Sequence, residues 1–306
     1  MDSTNPPLPR QQTAQEFQSE NTDGYRLGRG YMAATRLNLQ HYIWKDTQGF
    51  LLHPTIQAHL HDKAVSRGSG GLSPLHIADL ATGTGLWLFD LAKSPELSGL
   101  DVQFHGTDIS KSLFPHSSWL PRNVTMSASD ILQEPPQSLQ GQFDVIHLRL
   151  VLSLIRSGSP RPIIRHIKSL LKPGGYMQWD ELDPVNRYEI LAPGPEVEAT
   201  HMNSLFQRVR NLADWSWVTQ LSQTLKEEGF EAPVQQHYES SPEMMKIGTC
   251  MELCTNEELA RNWPGKEDEE SQKWLSGIPK AYKEVDESVG VVLRISPTVI
   301  IARKPL

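Results

Sequence analysis

The chain of 306 residues carries 29 Lys and Arg against 36 Asp and Glu, a formal charge of −7, a pI near 5.9 and 38% hydrophobic residues. That composition suits one elaborated globular domain or two small ones, and its acidic balance argues against a nucleic-acid partner, which usually needs a basic face. No apolar run approaches the ~18 residues of a membrane span, and residues 1–23 lack the basic start and apolar core of a secretory leader, so a soluble, cytoplasmic protein without a membrane partner is expected.

Residues 1–23, with Asn5-Pro-Pro-Leu-Pro9 and a Gln-rich tract, have no apolar period and read as a disordered tail. Residues 24–66 turn aromatic and apolar, with Tyr31, Leu37, Trp44, Phe50 and Ile56 predicting helices ahead of a sheet. A Gly/Ser-rich connection over 66–74 leads into Leu75–Ala92, which reads as a buried strand, a tight turn and a helix. Gly83 and Gly85 let that turn approach a ligand where a Cβ would collide. Leu88 stands where a dinucleotide fingerprint needs its third Gly, so that fingerprint is incomplete. Further strands are predicted at Val102–Asp108, Asn123–Ile131 and Phe143–Arg149, each ending near an acidic or basic side chain, and Leu170–Trp179 reads as a helix end, a Pro-Gly-Gly turn and the start of a fifth strand. A helix through Leu221 and Leu225 and a closing strand pair, Val234–Tyr238 and Pro297–Ala302, complete the alternation of an α/β protein. Cys250 and Cys254 read as reduced thiols, His59-Leu-His61-Asp62 as helix surface, and no metal is expected.

Asp79-Leu-Ala-Thr-Gly83-Thr-Gly85 resembles motif I of the class I S-adenosylmethionine (SAM) methyltransferases, with Ala81 in place of the first Gly. Asp108 lies 23 positions beyond Gly85, at the place of the family's ribose-binding acid. The resemblance implies a Rossmann-like fold: a mixed seven-stranded sheet with helices on both faces and a mostly helical lid. Residues 75–306 would form the core, interrupted by lid insertions at about 182–216 and 241–290, with 24–66 as the N-terminal part of the lid. It further implies SAM as cofactor, held by Asp79, Ala81, Thr82, Gly83 and Gly85 in the turn, Asp108 and Ile109 after the second strand, Asp130 and Ile131 after the third, and Leu148 and Arg149 at the end of the fourth.

Three segments, Thr35-Arg-Leu-Asn-Leu-Gln-His41, Phe143-Asp-Val-Ile-His-Leu-Arg149 and Gly174-Gly-Tyr-Met-Gln-Trp-Asp-Glu181, are similar to the fungal secondary-metabolism methyltransferases of the LaeA and UMTA type. This implies methyl transfer to oxygen, nitrogen or sulfur of an apolar or aromatic small molecule. The alternatives are a regulator acting through protein partners, and a SAM-binding pericyclase or pseudoenzyme. Since the cofactor carries the reactivity, the protein has to align the acceptor and exclude water. His41, His147 and Glu181 are the candidate catalytic groups, and Tyr31, Arg36, Trp44, Trp179, Met202 and Phe206 the candidate substrate pocket. Oligomeric state is left open.

Overall fold

A computed structural model describes residues 25–67, 74–155, 158–265 and 267–306; the expected tail and most of the Gly/Ser connection lie outside these. Two helices come first, α1 (Tyr31–Gln48) and α2 (Pro54–Arg67), and then the alternating half of the chain: β1 (Leu75–Leu80), α3 (Leu86–Leu91), β2 (Val102–Asp108), β3 (Val124–Ala128), β4 (Phe143–Arg149), α4 (Arg161–Leu170) and β5 (Leu171–Glu181). The remainder runs β6 (Tyr188–Leu191), α5 (Thr200–Arg210), α6 (Ser216–Glu227), β7 (Glu231–His237), α7 (Pro242–Arg261), α8 (Glu269–Glu284), β8 (Val292–Ile295) and β9 (Thr298–Arg303).

Seven strands form one mixed sheet in the order β3-β2-β1-β4-β5-β9-β7. The first five are parallel, and β9 runs antiparallel to β5 and β7 on either side of it. Buried parallel strands need cover on both faces, which is why β4 is apolar apart from Asp144, His147 and its terminal Arg149. One face is covered by Ile163, Ile164 and Ile167 of α4 with Trp217, Leu221 and Leu225 of α6. Ile56 and Leu60 of α2 join Trp87, Leu88 and Leu91 of α3 in a second apolar cluster. Strand order reverses between β1 and β4, so the connections leaving their carboxyl ends diverge and open a crevice there.

A third core lies above that crevice. Met202 and Phe206 of α5, Leu253 of α7, Trp274 and Ile278 of α8 and Leu293 of β8 pack together with Trp44 of α1. The two insertions are therefore one body, not two flaps. A short antiparallel ribbon, β6 with β8, ties the first to the segment following the second, a pairing the sequence did not suggest. Each large side chain buried in this cluster contributes about 1.5–3 kcal/mol to holding the inserted segments and α1 together as a cap.

Candidate active site

The turn from β1 into α3 has the backbone its sequence requires. Ala81, Gly83 and Gly85 take positive φ of 54°, 56° and 77°. Ala81 thus occupies a left-handed position that favours glycine. Asp108, at the end of β2, accepts from the Gly83 amide at 3.0 Å through one carboxylate oxygen and from the Ser110 amide at 3.1 Å through the other. Each oxygen retains a lone pair, so the carboxylate can also accept a pair of hydroxyls. Burial raises the Asp108 pKa against those two amides. Helix α1 lies across the turn: a Cβ on Gly83 would sit 3.4 Å from Leu37, and Thr84 donates to Asn38 at 2.7 Å.

A cavity of about 560 Å³ begins at this turn and continues between the sheet ends and the cap. Asp79, Ala81, Thr82 and Gly83 line it from the turn, Asp108 and Ile109 from the loop after β2, and Asp130 and Ile131 from the loop after β3. Asp130 accepts from the Leu132 amide at 2.9 Å, which orients its carboxylate at the rim. Arg149 reaches the wall from β4.

Beneath the turn runs a buried chain of charge. His147 Nδ1 lies 2.6 Å from Asp79 and its Nε2 3.2 Å from Asp180, and its ring stacks on Trp87 with centroids 3.8 Å apart. Burial works against the imidazolium, but the carboxylates of Asp180 and Asp79 outweigh it and raise the His147 pKa. Burial likewise opposes the charge of Asp180, yet Arg149 and His147 bring it down to about 2. Arg149 holds Asp180 with a 2.8 Å bond, and Asp79 accepts from Thr82 at 2.5 Å. His147 therefore reaches the cavity wall with both ring nitrogens committed.

His41 presents the opposite case. Its Nε2 lies 2.9 Å from Asp90, a carboxylate that Lys45 also holds at 2.8 Å. Burial first, then the neighbouring Arg149 charge, lower the His41 pKa to about 4 despite Asp90. A neutral imidazole facing a carboxylate donates its Nε2 hydrogen to it, which leaves the lone pair on Nδ1. Nδ1 is buried and has no partner among the described residues, and His41 lines the cavity.

Several expected site residues lie outside the cavity wall. Glu181 is fully buried, accepting from the Val151 and Leu182 amides and from Trp179 Nε1 at 3.0–3.3 Å, with burial pushing its pKa up to about 8. Its carboxyl pins a turn behind the wall. Gly85 and Leu148 also stand back from the wall: Gly85 is shaped by Met126 and Phe89, 2.8–3.1 Å from where its Cβ would be, and Leu148 is buried in the sheet. Of the expected substrate pocket only Arg36 lines the cavity. Tyr31 is on the outer face of α1, 78% exposed; Trp179 packs with Trp217 inside the sheet layer; Trp44, Met202 and Phe206 form the core of the cap. Their bulk and apolarity are spent on each other.

Away from the turn the cavity is lined by residues outside the expected pocket set, among them helix-stripe leucines and tryptophans of the two inserted segments. Leu212, Trp215, Leu259 and Trp263 supply apolar wall, and Glu252 and Asn256 of α7 supply polar groups. Glu252 is buried, which pushes its carboxyl up to about 7 against a hydrogen bond from Tyr188. The one signal available was the spacing of Glu252 and Asn256, four apart within an otherwise apolar helix stripe.

Residues 78–177 match the family model described as a methyltransferase domain. Methyltransferase grgD of a Penicillium species is 40% identical over 111 residues, 35% of this chain and 38% of that protein. N-methyltransferase tcpN of Claviceps purpurea is 32% identical over 199 residues, 64% of this chain and 62% of that one. The matches thus span less than two thirds of either relative. Among solved structures, phosphoethanolamine N-methyltransferase 2 of Haemonchus contortus, in complex with S-adenosylhomocysteine (SAH), aligns at a TM-score of 0.43 and 16% identity over 89% of this chain and 58% of that one. Residues 78–177 thus match a methyltransferase domain and lie within a Rossmann-like, mixed seven-stranded sheet.

Proposed function

We propose that this protein transfers the methyl group of SAM to a nitrogen atom of an apolar small molecule made in fungal secondary metabolism. The observation that carries the reading is the single cavity joining the Gly83 and Asp108 turn to a buried, neutral His41 under an apolar cap. Nitrogen as acceptor atom is supported by relatives named as N-methyltransferases, tcpN among them and verN of Clonostachys rogersoniana at 31% identity over 120 residues. When bound, SAM supplies an electrophilic methyl for in-line displacement. Asp108 would hold the ribose hydroxyls, and Asp130 and Ile131 would border the adenine. His41 Nδ1 would accept the proton of the acceptor N–H, with Asp90 fixing the tautomer. His147 would act as an internal cation that keeps Asp79 and Asp180 in place and not as the base, and Glu181 would set the turn at Val151.

Calorimetric titration with SAM and SAH, followed by transfer of labelled methyl into a fungal extract with mass analysis of the product, tests this. A labelled small molecule with the methyl on nitrogen is expected. Absence of SAM binding would overturn the cofactor reading, and label on protein alone would favour a regulator.

A further inference from the structure

Four residues lining the cavity carry a buried polar atom that has no partner among the described residues: His41 Nδ1, Trp87 Nε1, Arg36 Nε and Asn256 Oδ1. The first two belong to neighbouring helices beside the cofactor turn, where Asp90 of α3 holds His41. The other two lie in the cap, where α1 meets α7. Arg36 is 5% exposed and Asn256 1%, so neither reaches bulk solvent. An unsatisfied buried donor or acceptor costs about 1–3 kcal/mol, so a pair of them in a cavity wall marks where a ligand belongs.

The geometry limits what that ligand is. Arg36 donates from its terminal nitrogen to Glu258 at 3.1 Å, and its charge is also felt by Glu252. It therefore lies along the stretch of α7 that holds Asn256. Glu252 and Asn256 are one helical turn apart and both line the cavity. The amide of Asn256 is oriented by its own helix: Nδ2 donates to the Glu252 carbonyl at 2.9 Å, which leaves Oδ1 as the open acceptor. One open N–H donor and one open oxygen acceptor thus share this end of the cavity. A group that both accepts and donates would satisfy them together. The Arg36 charge is already matched by Glu258, and burial raises the Glu252 carboxyl to about 7, so that it is about half neutral at neutral pH and offers a cation only a partial counter-charge.

Building on the reading of this cavity as the acceptor site of a methyltransferase, we propose that Arg36 Nε and Asn256 Oδ1 form a specificity subsite for a neutral donor–acceptor group, a hydroxyl or a carboxamide, carried by the apolar substrate. The group is bound in the cap, and the methylated atom is presented to His41 on the cofactor side. No bond is made or broken at this subsite; it selects and orients.

The test uses the full chain saturated with SAH and five ring-matched probes: propylbenzene, 3-phenylpropanol, 3-phenylpropanamide, 3-phenylpropylamine and 3-phenylpropionate, each titrated by calorimetry. The alcohol or the amide, or both, should bind about tenfold or more tighter than the hydrocarbon, the gain expected from about one net hydrogen bond, and whichever binds tighter identifies the group. The ammonium and carboxylate probes should show no such gain. Asn256→Leu should remove the preference, as should Arg36→Lys, which keeps a cation for Glu258 but deletes the Nε–H. Near-ultraviolet circular dichroism reports whether each variant is folded, and the wild-type ranking decides the question if one is not. Equal affinity of all five probes, tighter binding of a charged probe, or binding of none would overturn the subsite. Failure of the wild type to take up SAH would overturn the methyltransferase reading itself.

Discussion

His41 and Asp108 line one cavity, and each is defined by what its hydrogen bonds leave over. With a pKa of about 4, His41 is neutral throughout the physiological range, so it contributes no acidic limb to a rate profile above pH 5. His41→Gln is expected to lower single-turnover methyl transfer by roughly 10²-fold to 10⁴-fold while SAM affinity stays nearly constant. Rapid-quench measurements on an identified substrate would check this, and a loss below a factor of about two would dismiss His41 as the base. Asp108→Ala should weaken SAM binding by about 1.5–3 kcal/mol, the usual loss when a charged hydrogen-bond partner is removed. Calorimetry giving an unchanged SAM affinity would remove Asp108 from the cofactor site. Both residues were visible in the sequence because each belongs to a short local pattern, a strand end or a characteristic helix segment. Asp90, Glu252 and Asn256 were not. Their roles depend on helices brought together across the fold, and Glu252 lies in a stretch whose Met251 and Leu253 read simply as apolar stripe.

Among the elements, the turn between β1 and α3 was the most legible, because positive φ, small residues and the strand-to-helix change all occur within ten residues. It also stores strain that can be measured. Ala81 at φ 54° should gain from replacement by glycine, so Ala81→Gly is expected to be neutral or stabilising by up to about 1 kcal/mol, against the usual destabilising direction. Urea denaturation showing a loss of more than about 1 kcal/mol would mean that the Ala81 methyl has a packing role. Gly83→Val should instead abolish SAM binding, since β-branched residues avoid a φ of 56° and the branch would extend past a Cβ already in van der Waals contact with Leu37. A Gly83→Val protein that still binds SAM normally would reduce the turn to a structural link. The large apolar residues of the cap lie elsewhere for a physical reason: Trp44, Met202 and Phe206 have the chemistry of a substrate pocket, but a cap needs a core of its own before it can present a wall. Sequence composition does not separate the two uses.

Across the whole molecule, buried ionisable groups give the fold a pH dependence with a definite sign. The His41 pKa is depressed from 6.5 to about 4, so the unfolded chain binds this proton more readily over that interval. Its contribution to stability is present above pH 6.5 and falls away by up to about 3 kcal/mol as pH drops toward 4. His41→Gln should therefore lose less stability than the wild type between pH 7 and 5 in paired denaturant titrations; parallel losses would show that His41 is not buried as a neutral base. The ribbon of β6 and β8 adds a consequence for motion. It joins Tyr188–Leu191 to Val292–Ile295, on opposite sides of the chain's last third, while none of its pairs belongs to the seven-stranded sheet. Amide hydrogen exchange should find these two segments opening together, at a lower free energy than β1 and β4, as one cooperative unit. Exchange of the ribbon at the rate of β1 would show a single global transition instead. An independent opening of this kind would let bulky molecules come and go by partial melting of the roof, while the floor proposed to hold the nucleoside stays folded.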